Sequence, residues 1–375
     1  MLKKVYISHT NCITPIGFDV ETNVTNILSG ITGIQKHEDE SLMQTPFYAS
    51  IVNNELLDEA FAKISSDQNY SKLEKMMILA LYPIIDNSKI NEKTAFLLST
   101  TKGNITALEK ITDETIQQAQ LYTLAQTVAD FFNFKTKPIV VSNACVSGIL
   151  AVSVAKRLIQ SNLYDNAYVV AGDVVSEFVL SGFNSFQAMS DAPCKPYSEN
   201  RTGVNIGEAT AAVLVTSDAK NVKVEIIGDG SINDANHISG PSRTGEGLVR
   251  SIESALTEAK INSESIDYIS AHGTATPFND EMEAIALNRL GLQNIPMNSL
   301  KGYYGHTLGA SGLLETVIGI QSVLENKLFA SLGFDAMGVS QPINVIEKNQ
   351  DQEIKYFLKT ASGFGGCNAA VIFSN

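Results

Sequence analysis

Short apolar runs alternate with longer segments of helical periodicity along the whole chain. Runs rich in Val, Ile and Ala between turn residues are typical of buried strands, and apolar positions three or four residues apart indicate helices. Regular alternation of the two predicts an α/β fold. The predicted strands are Lys3–Ser8, Thr94–Leu98, Pro138–Val141, Ala167–Ala171, Ala211–Val215, Ile266–Ser270 and Ala369–Phe373.

Two segments of the chain follow a similar plan. In the first, Val140–Cys145 is predicted to be a strand and a turn, followed by an apolar helix at Val146–Gln160. In the second, Pro296–His306 leads into a predicted helix at Leu308–Glu325, followed by the strand-like run Leu328–Leu332. Each segment carries a reactive side chain near the start of a buried helix. This similarity indicates either an internal duplication of one α/β unit or a chance likeness between two such units.

Composition and charge narrow the classes of function. The 375 residues are 44% hydrophobic and 18% charged, which is enough apolar material for a large core. A net charge of −13 and the lack of tryptophan argue against a nucleic-acid partner. Because no apolar stretch reaches membrane-spanning length and no signal-peptide core is present, we expect a cytoplasmic protein without a membrane partner. Four scattered cysteines predict reduced thiols, namely Cys12, Cys145, Cys194 and Cys367.

Cys145 is the first candidate for chemistry. It is predicted to lie between a strand and a helix, where the helix dipole and free backbone N–H groups favour a thiolate. An inert buried cysteine is the alternative that its position alone leaves open.

Two histidines follow predicted strands. His272 lies in the run AHGTATPFND after a strand end, a typical setting for a polar site at the carboxyl edge of a sheet, although a histidine bonded to its own loop is the alternative. Asp280 and Glu283 resemble a capping box that opens a helix at Glu281–Leu290. His306 lies among glycines in NSLKGYYGHTLGASG.

The glycine-rich run SGFGGCNAA near the C-terminus has neither dinucleotide-loop nor phosphate-loop spacing. It predicts a tight turn, whose backbone N–H groups are suited to one side of an oxyanion hole.

Seven motifs in order resemble the elongating class of β-ketoacyl-[acyl carrier protein] synthases, in the thiolase-fold superfamily. The resemblance covers nearly the whole chain. The motifs are CITPIG (12–17), SNACVSG (142–148), CKPYSENRTGVNIGEA (194–209), DANHISGP (234–241), AHGTATPFNDEMEA (271–284), KGYYGHTLGASG (301–312) and GFGGCNA (363–369).

The resemblance implies a thiolase-like α/β fold with five layers, α-β-α-β-α, built from two similar halves. Residues 1–217 would carry the nucleophile and residues 218–375 the two histidines. It also implies a decarboxylative Claisen condensation of an acyl-cysteine enzyme with malonyl carried on acyl carrier protein. No metal or organic cofactor is implied, since the phosphopantetheine arm of the carrier holds the substrates.

Residue roles follow from the motifs. The resemblance implies that Cys145 accepts the acyl group and that His272 and His306 assist decarboxylation and stabilise the enolate. Lys301 would pair with Glu283 and hold the histidine environment. The remaining implied roles are an oxyanion hole from the N–H groups of Cys145 and Phe364, a gating function for Phe364, and binding of the phosphopantetheine arm by Thr274 and Thr276.

The family also implies partners. It forms dimers, so we expect a homodimer or a heterodimer with a related synthase or chain-length-factor subunit. The acidic carrier protein predicts basic docking residues, for which Arg201, Lys72 and Lys75 are candidates beside the alternative of ordinary solvated surface.

Departures from the family pattern leave the substrate open. Ser362 stands where an aromatic residue usually precedes the gating Phe, and the segment Ser99–Ile105 replaces a loop with more glycines. Both fatty acid elongation and a polyene or polyketide pathway remain open. So do a subunit that binds a carrier or shapes a partner's pocket without turnover, and a thiolase that uses Cys367.

Overall fold

The computed structural model describes residues 3–235 and 240–375. Within them the helices are α1 Val20–Leu28, α2 Asn54–Ala62, α3 Lys72–Leu81, α4 Asp113–Gln118, α5 Leu121–Phe131, α6 Ser147–Gln160, α7 Glu177–Ser185, α8 Glu246–Ala259, α9 Pro277–Arg289, α10 Lys301–Tyr304 and α11 Ser311–Glu325.

The strands are β1 Tyr6–Ile13, β2 Ile34–His37, β3 Phe47–Ser50, β4 Thr94–Ser99, β5 Ile139–Val141, β6 Asn166–Asp173, β7 Ile206–Gly207, β8 Ala209–Thr216, β9 Val224–Asn233, β10 Tyr268–Ser270, β11 Pro296–Asn298, β12 Lys327–Leu328, β13 Asn344–Val345, β14 Gln350–Asp351, β15 Tyr356–Gly363 and β16 Cys367–Ser374.

One sheet of eleven strands organises the molecule, in the order β13-β11-β10-β15-β16-β9-β1-β8-β6-β4-β5. Its N-terminal half, β5-β4-β6-β8-β1, and its C-terminal half, β11-β10-β15-β16-β9, have the same order when each half is numbered along the chain. The parallel and antiparallel pairings also match strand for strand. This match favours the duplication of one unit over a chance likeness.

The halves join where β1 pairs antiparallel with β9, through Tyr6 with Glu225 and Ile7 with Val224. Because the halves share one sheet, the division into domains at 1–217 and 218–375 stays a prediction.

Five layers follow from the sides on which the strands bury their residues. On β8, Ala211 and Val213 belong to the central apolar cluster, whereas Ala212 and Leu214 belong to an outer one. The central cluster contains α6 and α11, which lie between the two halves of the sheet. An outer cluster with α3 and α5 covers the N-terminal half, and another with α8 and α9 covers the C-terminal half. The predicted α-β-α-β-α layering is therefore confirmed.

The seven predicted strands all belong to this sheet, but some other predictions were wrong. Leu328–Leu332 does not form a strand of the sheet, because only Lys327–Leu328 is extended and it pairs with β14. The capping box at Asp280 and Glu283 is also wrong, because α9 already begins at Pro277 and places both residues inside the helix. Within the described residues, no helix is long and apolar enough to cross a membrane.

Candidate active site

Cys145 lies in the tight connection between β5 and α6. The preceding Ala144 has a φ of 44°, a left-handed conformation that is unusual for a residue with a side chain and that turns the chain sharply into the helix. Gly148, in the first turn of α6, lets this helix approach the loop after His306, since a Cβ there would lie 2.7 Å from the carbonyl oxygen of Gly309. Close backbone contact therefore brings the cysteine and the histidine together.

His306 contacts the cysteine directly. Its Nε2 lies 3.1 Å from the Sγ of Cys145, and its Nδ1 lies 2.9 Å from the Oγ of Ser311. Both side chains of the pair are buried, with 7% of Cys145 and 2% of His306 exposed. A neutral imidazole accepts at one nitrogen and donates at the other, so a thiol that donates to Nε2 requires Nδ1–H to donate to Ser311.

The thiol of Cys145 is not the ready thiolate that a helix N-terminus suggests. Burial, with a smaller effect of nearby Cys367, raises its pKa to about 12, although Lys301 and the backbone N–H of Phe364 act in the opposite direction. The helix terminus therefore does not by itself produce a resting thiolate, because desolvation outweighs it. A base must take the proton, and His306 is in contact.

His272 stands against His306 at the same end of the cavity. The two rings are nearly perpendicular, with their centroids 5.2 Å apart. The Nζ of Lys301 lies 3.4 Å from Nδ1 of His272 and donates to the His272 carbonyl oxygen. Because an ammonium group can only donate, Nδ1 is the acceptor and Nε2 carries the proton of the neutral ring. His272 can thus offer an N–H donor to a developing negative charge.

Both imidazoles are held neutral. Burial is the main cause that lowers the pKa of His272 and of His306 well below the ordinary 6.5, and the charge of Lys301 lowers both further. A neutral ring allows His306 to accept the thiol proton and leaves His272 with an N–H that can donate a hydrogen bond.

The predicted pair of Lys301 and Glu283 is not formed. Lys301 pairs instead with Glu315 of α11, at 2.7 Å between Nζ and Oε1. Glu283 accepts the backbone N–H groups of His272 and Gly273, at 2.9 and 2.6 Å, and the hydroxyl of Tyr197 at 3.0 Å. Glu283 still supports the histidine, but through its backbone, because α9 presents the carboxylate to the loop rather than to the lysine.

Phe364 lies in the turn between β15 and β16, which the sequence predicts as the second side of an oxyanion hole. Its backbone N–H is directed at Sγ of Cys145. Its ring stacks on Phe183 at 5.5 Å and meets Phe186 edge-on at 5.3 Å. The neighbouring Gly363 must be glycine, since a Cβ there would lie 2.9 Å from Sγ of Cys367 and 3.0 Å from the backbone nitrogen of Cys145.

A cavity of about 380 Å³ reaches the site from the surface. Cys145, His272, His306 and Phe364 are among the residues that line it. Thr274 and Thr276 also line it, and their hydroxyls are 2.8 Å apart. In the DANHISGP motif, Asp234, Gly240 and Pro241 line the cavity, while residues 236–239 lie outside the described part of the chain.

The three predicted docking cations are already engaged within the chain. Arg201 donates to the carbonyl oxygens of Ser198 and Gly338, and its side chain is only 8% exposed. Lys72 lies 2.6 Å from Glu208, and Lys75 lies 2.6 Å from Asp58 with 11% of its side chain exposed. These contacts leave the three cations little free surface, and their assignment as carrier-docking residues stays a prediction.

Two residues near the site escaped the sequence analysis, namely Glu315 and Lys359. Glu315 interrupts the buried helix α11, and Lys359 interrupts the apolar strand β15. A charged residue at a core position of an apolar element is a sequence signal, because such a charge needs a buried partner.

Comparison with known proteins agrees with this geometry. The family model "Beta-ketoacyl synthase, N-terminal domain" matches residues 3–221, and "Beta-ketoacyl synthase, C-terminal domain" matches residues 224–335. The chain is 26% identical over 411 residues to 3-oxoacyl-[acyl-carrier-protein] synthase 2 of Staphylococcus aureus (strain COL), covering 99% of this chain and 98% of the relative.

Solved structures share the fold. A ketosynthase in complex with its chain length factor from Xenorhabdus doucetiae superimposes with a TM-score of 0.86 at 24% identity, over 99% of this chain and 98% of the other. A β-ketoacyl synthase from Burkholderia phymatum STM815 gives a TM-score of 0.89 at 22% identity, over 100% of both chains. At these identities the likeness establishes the thiolase-like fold.

Proposed function

This chain belongs to the β-ketoacyl synthase family, a family of condensing acyltransferases, and we propose that it joins an acyl group held on Cys145 to a malonyl unit held on acyl carrier protein, with loss of CO₂. The observation that carries this proposal is the contact of 3.1 Å between Sγ of Cys145 and Nε2 of His306, with His272 facing His306 in the same cavity.

The first step loads the enzyme. The sulfur of Cys145 attacks the thioester carbonyl as Nε2 of His306 takes the thiol proton. The tetrahedral oxyanion accepts hydrogen bonds from the N–H groups of Cys145 and Phe364. When the intermediate collapses, the bond to the donor's sulfur breaks, and the departing thiolate takes the proton from His306.

The second step generates the carbon nucleophile. The bond between the malonyl carboxylate and its methylene carbon breaks, CO₂ leaves, and the electron pair forms an enolate on the thioester. Nε2–H of His272 donates to that oxygen. His306 can donate to the same oxygen when its Nε2 carries the proton. The hydroxyl of Ser311 permits both forms of the ring, because it accepts from Nδ1–H in the loading step and can donate to Nδ1 in this one.

The third step forms the new carbon–carbon bond. The enolate carbon attacks the carbonyl carbon of acyl-Cys145. The oxygen of that carbonyl becomes the oxyanion and occupies the same oxyanion hole as in the first step. Collapse breaks the carbon–sulfur bond and leaves the 3-ketoacyl product on the carrier. The released thiolate of Cys145 takes from solvent the one proton that the overall reaction consumes, which its raised pKa favours.

Thr274 and Thr276 are proposed to bind the amide groups of the phosphopantetheine arm, and Phe364 to gate entry. Both threonines line the same cavity as Cys145. The proposed chemistry calls for no metal or organic cofactor.

The thiolase alternative requires a second cysteine that exchanges protons with the substrate. Cys367 is buried and contacts the carbonyl oxygen of Phe364 at 3.3 Å. Among the described residues it is not part of the cavity lining, so condensation is favoured over thiolysis. The alternative of a subunit without turnover is disfavoured by the complete set of cysteine, two histidines and lysine.

A carrier protein and a second subunit are the proposed partners, in a cytoplasmic protein. Arg243 is a further proposed docking residue, and it is more exposed than Arg201, Lys72 and Lys75. It is exposed beside Pro241 and Ser242, which line the cavity. The dimer is either a homodimer or a pair with a chain-length-factor-like subunit, as in the Xenorhabdus structure.

A condensation assay tests the proposal. Purified protein receives acyl carrier and malonyl carrier, and the carrier-bound product is measured by mass spectrometry beside Cys145→Ala and His272→Ala. A 3-ketoacyl product that both variants lose supports the proposal. Failure to form product in the presence of a co-expressed partner subunit would overturn it.

A further inference from the structure

Lys359 is a fully buried charge that the steps above do not use. It lies on β15, where its side chain has 0% exposure. Its ammonium donates to the carbonyl oxygens of Ser270 and Ala271, at 3.1 and 3.2 Å, and lies 2.6 Å from Oε2 of Glu315. Three oxygen atoms thus surround a group that has three protons to donate. A lysine this deep requires such partners, because desolvation of an unpaired ammonium is unfavourable.

Glu315 connects this lysine to the active site. Its Oε2 faces Lys359, and its Oε1 accepts from Lys301 at 2.7 Å. The contact between Lys359 and Oε2 of Glu315 does not have hydrogen-bond geometry, so it is an ion pair held by the attraction of opposite charges. One carboxylate therefore bridges two ammonium groups, and Lys301 in turn contacts Nδ1 of His272.

The two lysines also fix the chain that leads to His272. Lys359 holds the carbonyl groups of Ser270 and Ala271, and Lys301 holds the next carbonyl, that of His272. From the other side Glu283 accepts the N–H of His272. The carbonyl groups of three successive residues from the end of β10, Ser270 to His272, are thus each held by an ammonium group.

Charge balance gives Lys359 a second effect. Glu315 and Glu283 are both buried, and Lys301 alone would leave this cluster with one excess negative charge. Burial lowers the pKa of Lys359, and Glu315 opposes that change. The charge of Lys359 also lowers the pKa of His306, although burial and Lys301 lower it more.

We propose that Lys359 is a positioning residue for decarboxylation: its ammonium holds Glu315 so that Lys301 stays against Nδ1 of His272 and keeps Nε2–H directed at the enolate oxygen. The inference rests on the proposed function, since it assigns a role within the second step. It predicts a defect in that step rather than in loading, because burial is the main cause that lowers the pKa of His306 and keeps the loading base neutral without Lys359.

Lys359→Met tests the proposal, since methionine replaces the apolar stem of lysine but lacks its terminal ammonium group. We expect the kcat of malonyl-carrier decarboxylation to fall on the order of 10-fold to 100-fold, the scale of a slightly misplaced catalytic group. The rate of Cys145 acylation should stay within about twofold of the parent, because the catalytic group displaced by the substitution is His272, which does not act in loading. In Lys359→Ala, ammonium chloride should restore part of the decarboxylation rate, whereas tetramethylammonium chloride, which has no N–H, should not.

Lys156→Met is the matched control. Lys156 of α6 is similarly buried, at 1% exposure, and pairs with Asp229 of β9 and Glu258 of α8. None of these three residues lines the cavity. Its loss should lower the free energy of unfolding without a selective loss of decarboxylation. Equal loss of acylation and decarboxylation in Lys359→Met, or no loss in either, would overturn the role of Lys359. Absence of decarboxylation by the parent protein with its partner subunit would instead overturn the proposed function.

Discussion

The approach of α6 to the loop after His306 offers a one-methyl test of the site. In Gly148→Ala, the new Cβ would lie 2.7 Å from the carbonyl oxygen of Gly309, and 3.0 Å from the backbone nitrogen of Leu313. Both neighbours are main-chain atoms, so a side-chain rotation cannot relieve the contact. Restoring an ordinary separation of 3.4 Å moves the two segments apart by about 0.7 Å.

This separation has consequences for both activity and stability. The contact of 3.1 Å between Cys145 and His306 would lengthen toward about 3.8 Å if the shift is passed on fully. We expect Cys145 acylation to slow on the order of 10-fold to 100-fold, since proton transfer depends steeply on distance. Overpacking of this kind also costs about 1–3 kcal/mol of unfolding free energy.

The assay is the rate of acyl adduct formation on the intact protein, with urea unfolding of the same samples. Gly182→Ala is the matched control, because a Cβ there meets no atom within 4 Å. It should keep the parent rate and gain a few tenths of a kcal/mol to about 1 kcal/mol in stability. Parent-like acylation and stability in Gly148→Ala would refute the account of how the two segments are held.

Three further outcomes follow from the same geometry. Because the pKa of His306 lies well below 6.5, the acylation rate should change less than about twofold as the pH falls through 6.5, and a loss centred there would contradict the neutral ring. Burial, with a smaller effect of Glu283, raises the pKa of Asp280 from 3.8 to about 7, so between these pH values the folded protein binds more protons than the unfolded chain and loses stability as the pH rises. Urea unfolding should therefore show that Asp280→Asn gains stability relative to the parent as the pH rises over this range, and a difference that does not change with pH would contradict the raised pKa. Arg243→Glu should raise KM for carrier-bound malonyl but not for malonyl coenzyme A, and equal effects on both would remove Arg243 from carrier docking.

The sequence was sufficient for seven of the eleven strands of the sheet and for the cysteine and histidines that meet in the cavity, because motifs and apolar runs are local. Partner choice is not local. Lys301 pairs with Glu315 rather than Glu283 because α11 and α9 face the lysine differently, which residue spacing does not reveal. The strands β9 and β15 were missed, since polar residues such as Asp229 and Lys359 interrupt their apolar pattern although both are buried.

Desolvation and exposure were the other limits. The helix terminus beside Cys145 was visible in the sequence, but the burial that raises its pKa was not. In the same way, Arg201 looked available for docking until its contacts with backbone carbonyls were known.

Intact-protein mass spectrometry after incubation with a series of acyl-carrier thioesters tests the central claim most directly. The account predicts a single acyl adduct that Cys145→Ala abolishes and that Cys12→Ala, which removes another fully buried thiol, retains. An adduct that persists in Cys145→Ala, or no adduct with any donor when the partner subunit is present, would contradict the assignment of Cys145 as the acyl-accepting nucleophile.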